Sequence, residues 1–150
     1  NHVYTEVGHN SQLPSLQAAL LSLKLGYLEQ WKSRRIEIAG SYLEAVSEVE
    51  CITPPKIASG NEHTFHKYVL TVPGKRDELA VFLGERGVST AIHYKLPLYK
   101  QPCFSEIVPS DLWLPNVEKA AQEVLSLPIY PHLTNEEIHH ISNAIRAFGK

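Results

Sequence analysis

Methionine is absent from all 150 residues. The chain as written therefore carries no initiator, and removal of one is disfavoured before a residue as large as Asn1, so a piece of a longer polypeptide is expected. Cysteine is nearly absent too. Cys51 and Cys103 alone make no disulfide framework, and a reduced, cytoplasmic protein is the expected setting. Cys103, between Pro102 and Phe104, reads as a buried, inert thiol. Basic runs are missing: the formal net charge is −2, and the one tight basic pair, Arg34-Arg35, sits in a helical pattern beside Glu29 and Glu37, as a solvated face does. No electrostatic footprint for nucleic acid remains. No apolar run approaches bilayer length and the N-terminus lacks a signal-peptide layout, so no membrane partner is expected.

Several catalytic templates are missing as well. There is no Gly-x-Ser-x-Gly elbow, no P-loop and no dinucleotide glycine fingerprint. Eight histidines raise the question of a metal, but they cluster only at His63-x-x-His66, in a loop entering a strand, and at His139-His140, on different sides of a helix. No carboxylate or thiolate is placed to complete four ligands, and no metal is expected.

What is present is ordinary globular material, 43% hydrophobic and 20% charged, enough for one domain over residues 1–150 with a core of its own. The pattern is α+β. Residues 15–49 contain no proline, and Leu16, Leu20, Leu23 and Tyr27, then Leu28, Trp31, Ile38, Tyr42 and Val46, recur at helical steps. The stripe changes phase near Gly26, which predicts two helices or one kinked one, and Gly40 offers a place for close packing. Pro54-Pro55 and residues 58–62 read as loop. Tyr68, Leu70 and Val72 alternate as a strand, Pro73-Gly74 turns the chain, and Leu79, Phe82 and Leu83 give Asp77–Arg86 a helical apolar face stopped by Gly87. Val88 to Tyr94 reads as a second strand. A proline-rich irregular segment follows (Pro97, Pro102, Pro109, Pro115), then a helix at Asn116–Val124 and a strand at Leu125–Leu127. Thr134 and Glu137 form a capping box, and Ile138, Ile141, Ile145 and Phe148 line the last helix. The expected sheet is short and mainly antiparallel, from Lys67–Val72, Val88–His93 and Val124–Leu127, with helices on one face and a long helical segment leading in.

Motifs in sequence order add a resemblance. Gly8-His9-Asn10 runs into Leu16-Gln17-Ala18-Ala19. Arg34-Arg35 precedes Ala39-Gly40-Ser41-Tyr42. His66-Lys67-Tyr68, Arg76–Leu79, Gly87-Val88, His93-Tyr94 with Pro97-Leu98, and Ser126 to Thr134 follow. Together these resemble the C-terminal half of the DegT/DnrJ/StrS family of sugar-nucleotide aminotransferases, which use pyridoxal 5′-phosphate (PLP) and share the fold of the aspartate aminotransferase superfamily, fold type I. Two positions depart from the family pattern: Ser11 and Gln12 stand where an aromatic residue and arginine are usual, and Tyr99 where histidine is usual.

The resemblance implies the small, C-terminal domain of an enzyme that transfers an amino group, from glutamate, onto a keto sugar nucleotide. A sugar dehydratase of the same family, in which histidine replaces the lysine, and a non-catalytic binding or assembly module are the alternatives. PLP needs a Schiff-base lysine. In relatives that lysine lies in a Ser-x-x-x-x-Lys motif followed by Gly-Glu-Gly-Gly, and none of the nine lysines here has that context. The chain is therefore expected to hold no catalytic residue of its own, to bind no PLP alone and to be inactive alone. Its implied contributions are smaller. Asn10 would donate to the PLP phosphate held by the other subunit of a homodimer, the alternative being that Asn10 and Ser11 cap the following helix. Gln12 and His93 would contact substrate, the alternative for His93 being a structural bond to a nearby carbonyl. Tyr94 and Tyr99 read as packing residues. Leu16, Leu20 and Leu23 are expected to be exposed apolar surface through which an isolated piece self-associates.

Overall fold

The computed structural model describes residues 11–149. Two helices open it, α1 (Ser15–Leu25) and α2 (Leu28–Ser47), broken at Gly26-Tyr27 where the apolar stripe changes phase. Strand β1 (Tyr68–Thr71) follows a long loop and leads into α3 (Arg76–Gly84). Two short 3-10 turns, Leu98–Lys100 and Pro102–Phe104, punctuate the proline-rich segment before α4 (Pro115–Glu123), β2 (Val124–Leu127) and α5 (Asn135–Phe148).

The core lies where α2, α3 and α5 meet the sheet. Ile38, Tyr42 and Val46 of α2, Leu70 of β1, Leu79 and Leu83 of α3, and Ile145 of α5 are fully buried. Their spacing explains the elements: steps of three or four put them on one helix face, and alternation puts Tyr68 and Leu70 on one face of β1. Thr134 caps α5 as its sequence predicts, its Oγ1 accepting from Glu137 N at 3.2 Å while Glu137 Oε2 accepts from Thr134 N at 2.8 Å. These short-range bonds hold the Glu137 carboxyl below the usual carboxylate range. By contrast α1 buries no residue. Leu16, Leu20 and Leu23 are 74%, 50% and 69% exposed, so the leading helix touches the core with none of its leucines. Gly40 has open space around it, not a close neighbour.

The sheet is narrower than the alternation of residues suggests. β1 and β2 pair antiparallel, Tyr68 opposite Leu127 and Leu70 opposite Leu125. The expected strand Val88–His93 contributes a single bridge, Ala91 to Ser126. In that register the next hydrogen-bonded partners would be residues 89 with 128 and 93 with 124. Residue 128 is proline and has no N–H, and Val124 N–H is engaged with Ala120 O at the end of α4. Both continuations are blocked, so the segment stays a one-residue contact. On the other side Thr53 bridges Thr71 in the same way.

Two buried tyrosines share this core and differ in one bond. Their rings meet edge to face at 5.3 Å. Tyr42 Oη donates to Pro128 O at 2.8 Å, whereas Tyr68 Oη has no partner among the described residues. Burial pushes the Tyr68 hydroxyl up to about 12 and raises that of Tyr42 as well. Tyr42→Phe orphans a carbonyl and is expected to cost about 1 kcal/mol, while Tyr68→Phe removes a desolvated hydroxyl and should leave stability unchanged or raise it by up to about 1 kcal/mol. Urea titration of both variants checks this, and equal losses would mean that Tyr68 has a partner after all.

Candidate functional site

His93 stands where two clefts meet. The larger, of about 640 Å³, is walled by the segment from Tyr94 to Cys103 and by Val117, Ala120 and Ala121 of α4. The smaller, of about 190 Å³, is lined by His66, Lys67, Ser89, Ala91 and Ser126. His93 belongs to both. It is placed by the Ala91 bridge: two residues beyond it, His93 lies diagonal to Ser126 across the strand pair, and its Nδ1 sits 2.9 Å from Ser126 Oγ. The structural partner foreseen for His93 was a carbonyl; the partner found is a serine hydroxyl. The Tyr94 ring meets the imidazole edge-on at 5.4 Å.

The outer wall of the larger cleft is fastened by one charged cluster. Glu118, on α4, accepts from Lys100 Nζ at 2.7 Å and from the Tyr99 hydroxyl. Lys100 Nζ in turn lies 5.1 Å from the centre of the Trp113 ring, a cation–π distance. The Lys100 ammonium first, and the Tyr99 hydroxyl second, hold the Glu118 carboxyl below the usual carboxylate range. Tyr99 is half-buried and tied to α4 by its hydroxyl, outside the core cluster. Tyr94 does not pack as expected: at 71% exposed it stands at the cleft mouth. Cys103 is likewise exposed in the same wall rather than buried. A short stretch rich in proline can place an apolar neighbour beside a residue in sequence without covering it.

The other implied site residues fall elsewhere. Asn10 lies outside the described residues. Gln12 is exposed in the irregular run 11–14 ahead of α1 and lines neither cleft. The position that caps α1 is Pro14, without a side-chain bond, so Ser11 does not cap this helix. The arginine pair is not a solvated face. Arg34 Nη2 donates to Leu133 O and to Asn135 Oδ1, both at 2.8 Å, and Arg35 Nη1 donates to Ile129 O at 2.8 Å and reaches Phe65 O and His66 O. A pair of grooves beside Trp31, Pro131 and His132 has aromatic walls, but its arginines are engaged with backbone and its Lys32 with Glu29 and Glu62. Among the described residues it offers no uncommitted lysine or arginine to an anionic ligand.

Among the described residues no group of three or more His, Cys, Asp or Glu side chains could hold a metal ion. His63 Nδ1 accepts from Phe65 N at 3.0 Å, and His140 Nε2 donates to Arg86 O at 2.7 Å. Nor do the described residues fit PLP by themselves. A Schiff-base lysine is tuned by burial and neighbours, and no described lysine is buried. No described helix is long and apolar enough to cross a membrane.

Comparison with known proteins agrees with this architecture. The profile of the DegT/DnrJ/EryC1/StrS aminotransferase family matches residues 1–146. The chain is 40% identical, over 144 residues, to a pleiotropic regulatory protein of Geobacillus stearothermophilus, a match covering 95% of this chain and 38% of that protein. It is 34% identical to dTDP-3-amino-3,4,6-trideoxy-alpha-D-glucose transaminase of Streptomyces venezuelae, again over 95% of this chain and 38% of the relative. The structure of S. venezuelae DesV in complex with a ketimine intermediate superposes with a TM-score of 0.91 and 32% identity, covering 99% of this chain and 40% of that one. The chain thus spans about two fifths of the length of the proteins it matches.

Proposed function

The chain belongs to the DegT/DnrJ/EryC1/StrS aminotransferase family, and from that membership we propose that it is the C-terminal, small domain of a PLP-dependent sugar-nucleotide aminotransferase. The whole enzyme transfers an amino group from glutamate to a keto sugar carried on a nucleotide, and it works in the cytoplasm as a homodimer. PLP supplies the electron sink for that exchange when bound. Its Schiff-base lysine comes from sequence outside this chain.

What this chain adds is positioning. Asn10 donates to the cofactor phosphate of the neighbouring subunit, and Gln12 and His93 contact the sugar nucleotide. One observation supports the reading most directly. The family motifs run in order along the chain, and the histidine they single out stands at the junction of two clefts. Gln12, without the forked charge of the arginine usual in relatives, is consistent with a substrate different from theirs.

A second reading, a non-catalytic regulatory module, draws on the name of the Geobacillus relative. One assay separates them. The full-length protein, incubated with PLP, glutamate and keto sugar nucleotides, is expected to yield an amino sugar nucleotide and 2-oxoglutarate in equal amounts by mass spectrometry. Residues 1–150 alone should yield neither. A dehydrated sugar in place of the amino sugar would move the enzyme to the dehydratase branch. No turnover of any sugar nucleotide by full-length protein would leave the regulatory reading.

A further inference from the structure

The contact between His93 and Ser126 has a direction that the surroundings of Ser126 determine. Ser126 is 5% exposed on β2. Its backbone N–H and C=O are both engaged with Ala91, at 2.7 and 3.1 Å. Among the described residues His93 Nδ1 is the one partner of its hydroxyl. A hydroxyl has a single proton to give. Were Nδ1–H the donor, the hydroxyl proton would have no acceptor among the described residues, and an unmade bond at a side chain this little exposed is costly. With the hydroxyl as donor, the same 2.9 Å contact satisfies both groups. An Nδ1 that accepts leaves the neutral ring its proton on Nε2.

We propose that Ser126 is a positioning residue that fixes His93 as its Nε2–H tautomer, so that the imidazole offers a hydrogen-bond donor to an oxygen of the substrate. The oxygen is a sugar hydroxyl or a phosphate oxygen, both of which accept. The other tautomer would present a lone pair at Nε2 and repel a phosphate oxygen. The device needs only a short buried serine diagonal to the histidine, and the blocked strand provides it. Because the segment 88–93 pairs at one residue only, His93 stays tied to β2 by this side-chain bond while its ring remains beside the clefts. The proposal rests on the reading of His93 as a substrate contact.

The test uses full-length protein labelled with nitrogen-15 histidine. A long-range proton–nitrogen spectrum identifies the tautomer of His93, its signals assigned by their loss in His93→Gln. The expected result is an Nε2–H ring in the parent protein and a mixture of tautomers in Ser126→Ala, with Ser126→Thr restoring the parent form. In steady-state assays Ser126→Ala should raise the sugar-nucleotide KM about three- to tenfold, the worth of one hydrogen bond, with kcat within about twofold. The same substitution should add nothing in a His93→Gln background. An Nδ1–H ring in the parent protein overturns the proposal whatever the variants do and leaves the substrate reading standing. An Nε2–H ring with kinetics unchanged in His93→Gln instead sinks the substrate reading, and the role given to Ser126 falls with it.

Discussion

Replacing Arg35 by alanine is expected to destabilise the chain by about 2–4 kcal/mol, a large share of the few kcal/mol that hold a domain of this size together. Arg35 Nη1 donates to Ile129 O at 2.8 Å and lies 3.2 and 3.3 Å from Phe65 O and His66 O. One nitrogen carries two N–H groups, so the three contacts count as two bonds, and a half-buried guanidinium is screened by water. Charge-assisted bonds are nevertheless worth about twice neutral ones. The geometry raises the stakes, because the acceptors belong to two separate loops that this one side chain of α2 holds together. One of them holds Phe65 at a φ of +47°, a sparsely populated conformation for a residue with a side chain. Its ring is buried and stacks on Tyr68 at 5.9 Å. Removing the clamp should release both the turn and the ring. Urea denaturation of Arg35→Ala and Arg35→Lys checks this, with lysine recovering less than half of the loss because a single ammonium lacks the fork. A loss below about 1 kcal/mol for alanine would mean that water replaces the guanidinium and the clamp holds nothing.

Much of this architecture is written locally, and local signals were the readable ones. The break between α1 and α2 follows from a phase change at Gly26, the start of α5 from Thr134 and Glu137, and β1 from the alternation of Tyr68, Leu70 and Val72. Signals that depend on distant sequence were not. Val88–His93 has the composition of a strand, but whether it pairs is decided by Pro128 and by the end of α4. Arg34 and Arg35 sit among glutamates in sequence, while their acceptors are 30 and 94 residues away for Arg35 and 99 for Arg34. The candidate site divides along the same line. His93 was legible as a position in a motif. Its partner Ser126 stands in another motif of the same chain, yet the link between them exists only once Ala91 and Ser126 are in register. No periodicity or propensity encodes that register, so Ser126 carried no readable role.

Arg76→Ala is the second substitution with a large expected cost, about 2–4 kcal/mol, and the placement of the residue shows why. A cation in the first turn of a helix opposes the helix dipole, and Arg76 is the first residue of α3. It is also 7% exposed. Both features argue that its side chain is held for a contact outside its own helix. That contact is the end of α4: Nη1 reaches Ala121 O at 3.3 Å and Val124 O at 3.4 Å, where the chain leaves the helix and enters β2. There the arginine meets the negative end of a dipole and two carbonyls with few other donors. Its ion pair with Asp77, at 2.6 Å, contributes little, because Asp77 is 80% exposed. The spacing Arg76-x-x-Leu79 then has a physical meaning: residues three apart share a helix face, and here both are buried. Alanine would leave a void and two poorly satisfied carbonyls, the nearer of them, that of Val124, two residues from Ser126. The loss should therefore appear twice, in the denaturation midpoint and in a disturbed His93 signal. Asp77→Asn serves as the control and should cost less than about 0.5 kcal/mol. If it costs as much as Arg76→Ala, the surface ion pair is what matters, and the capping of α4 by a buried arginine is wrong.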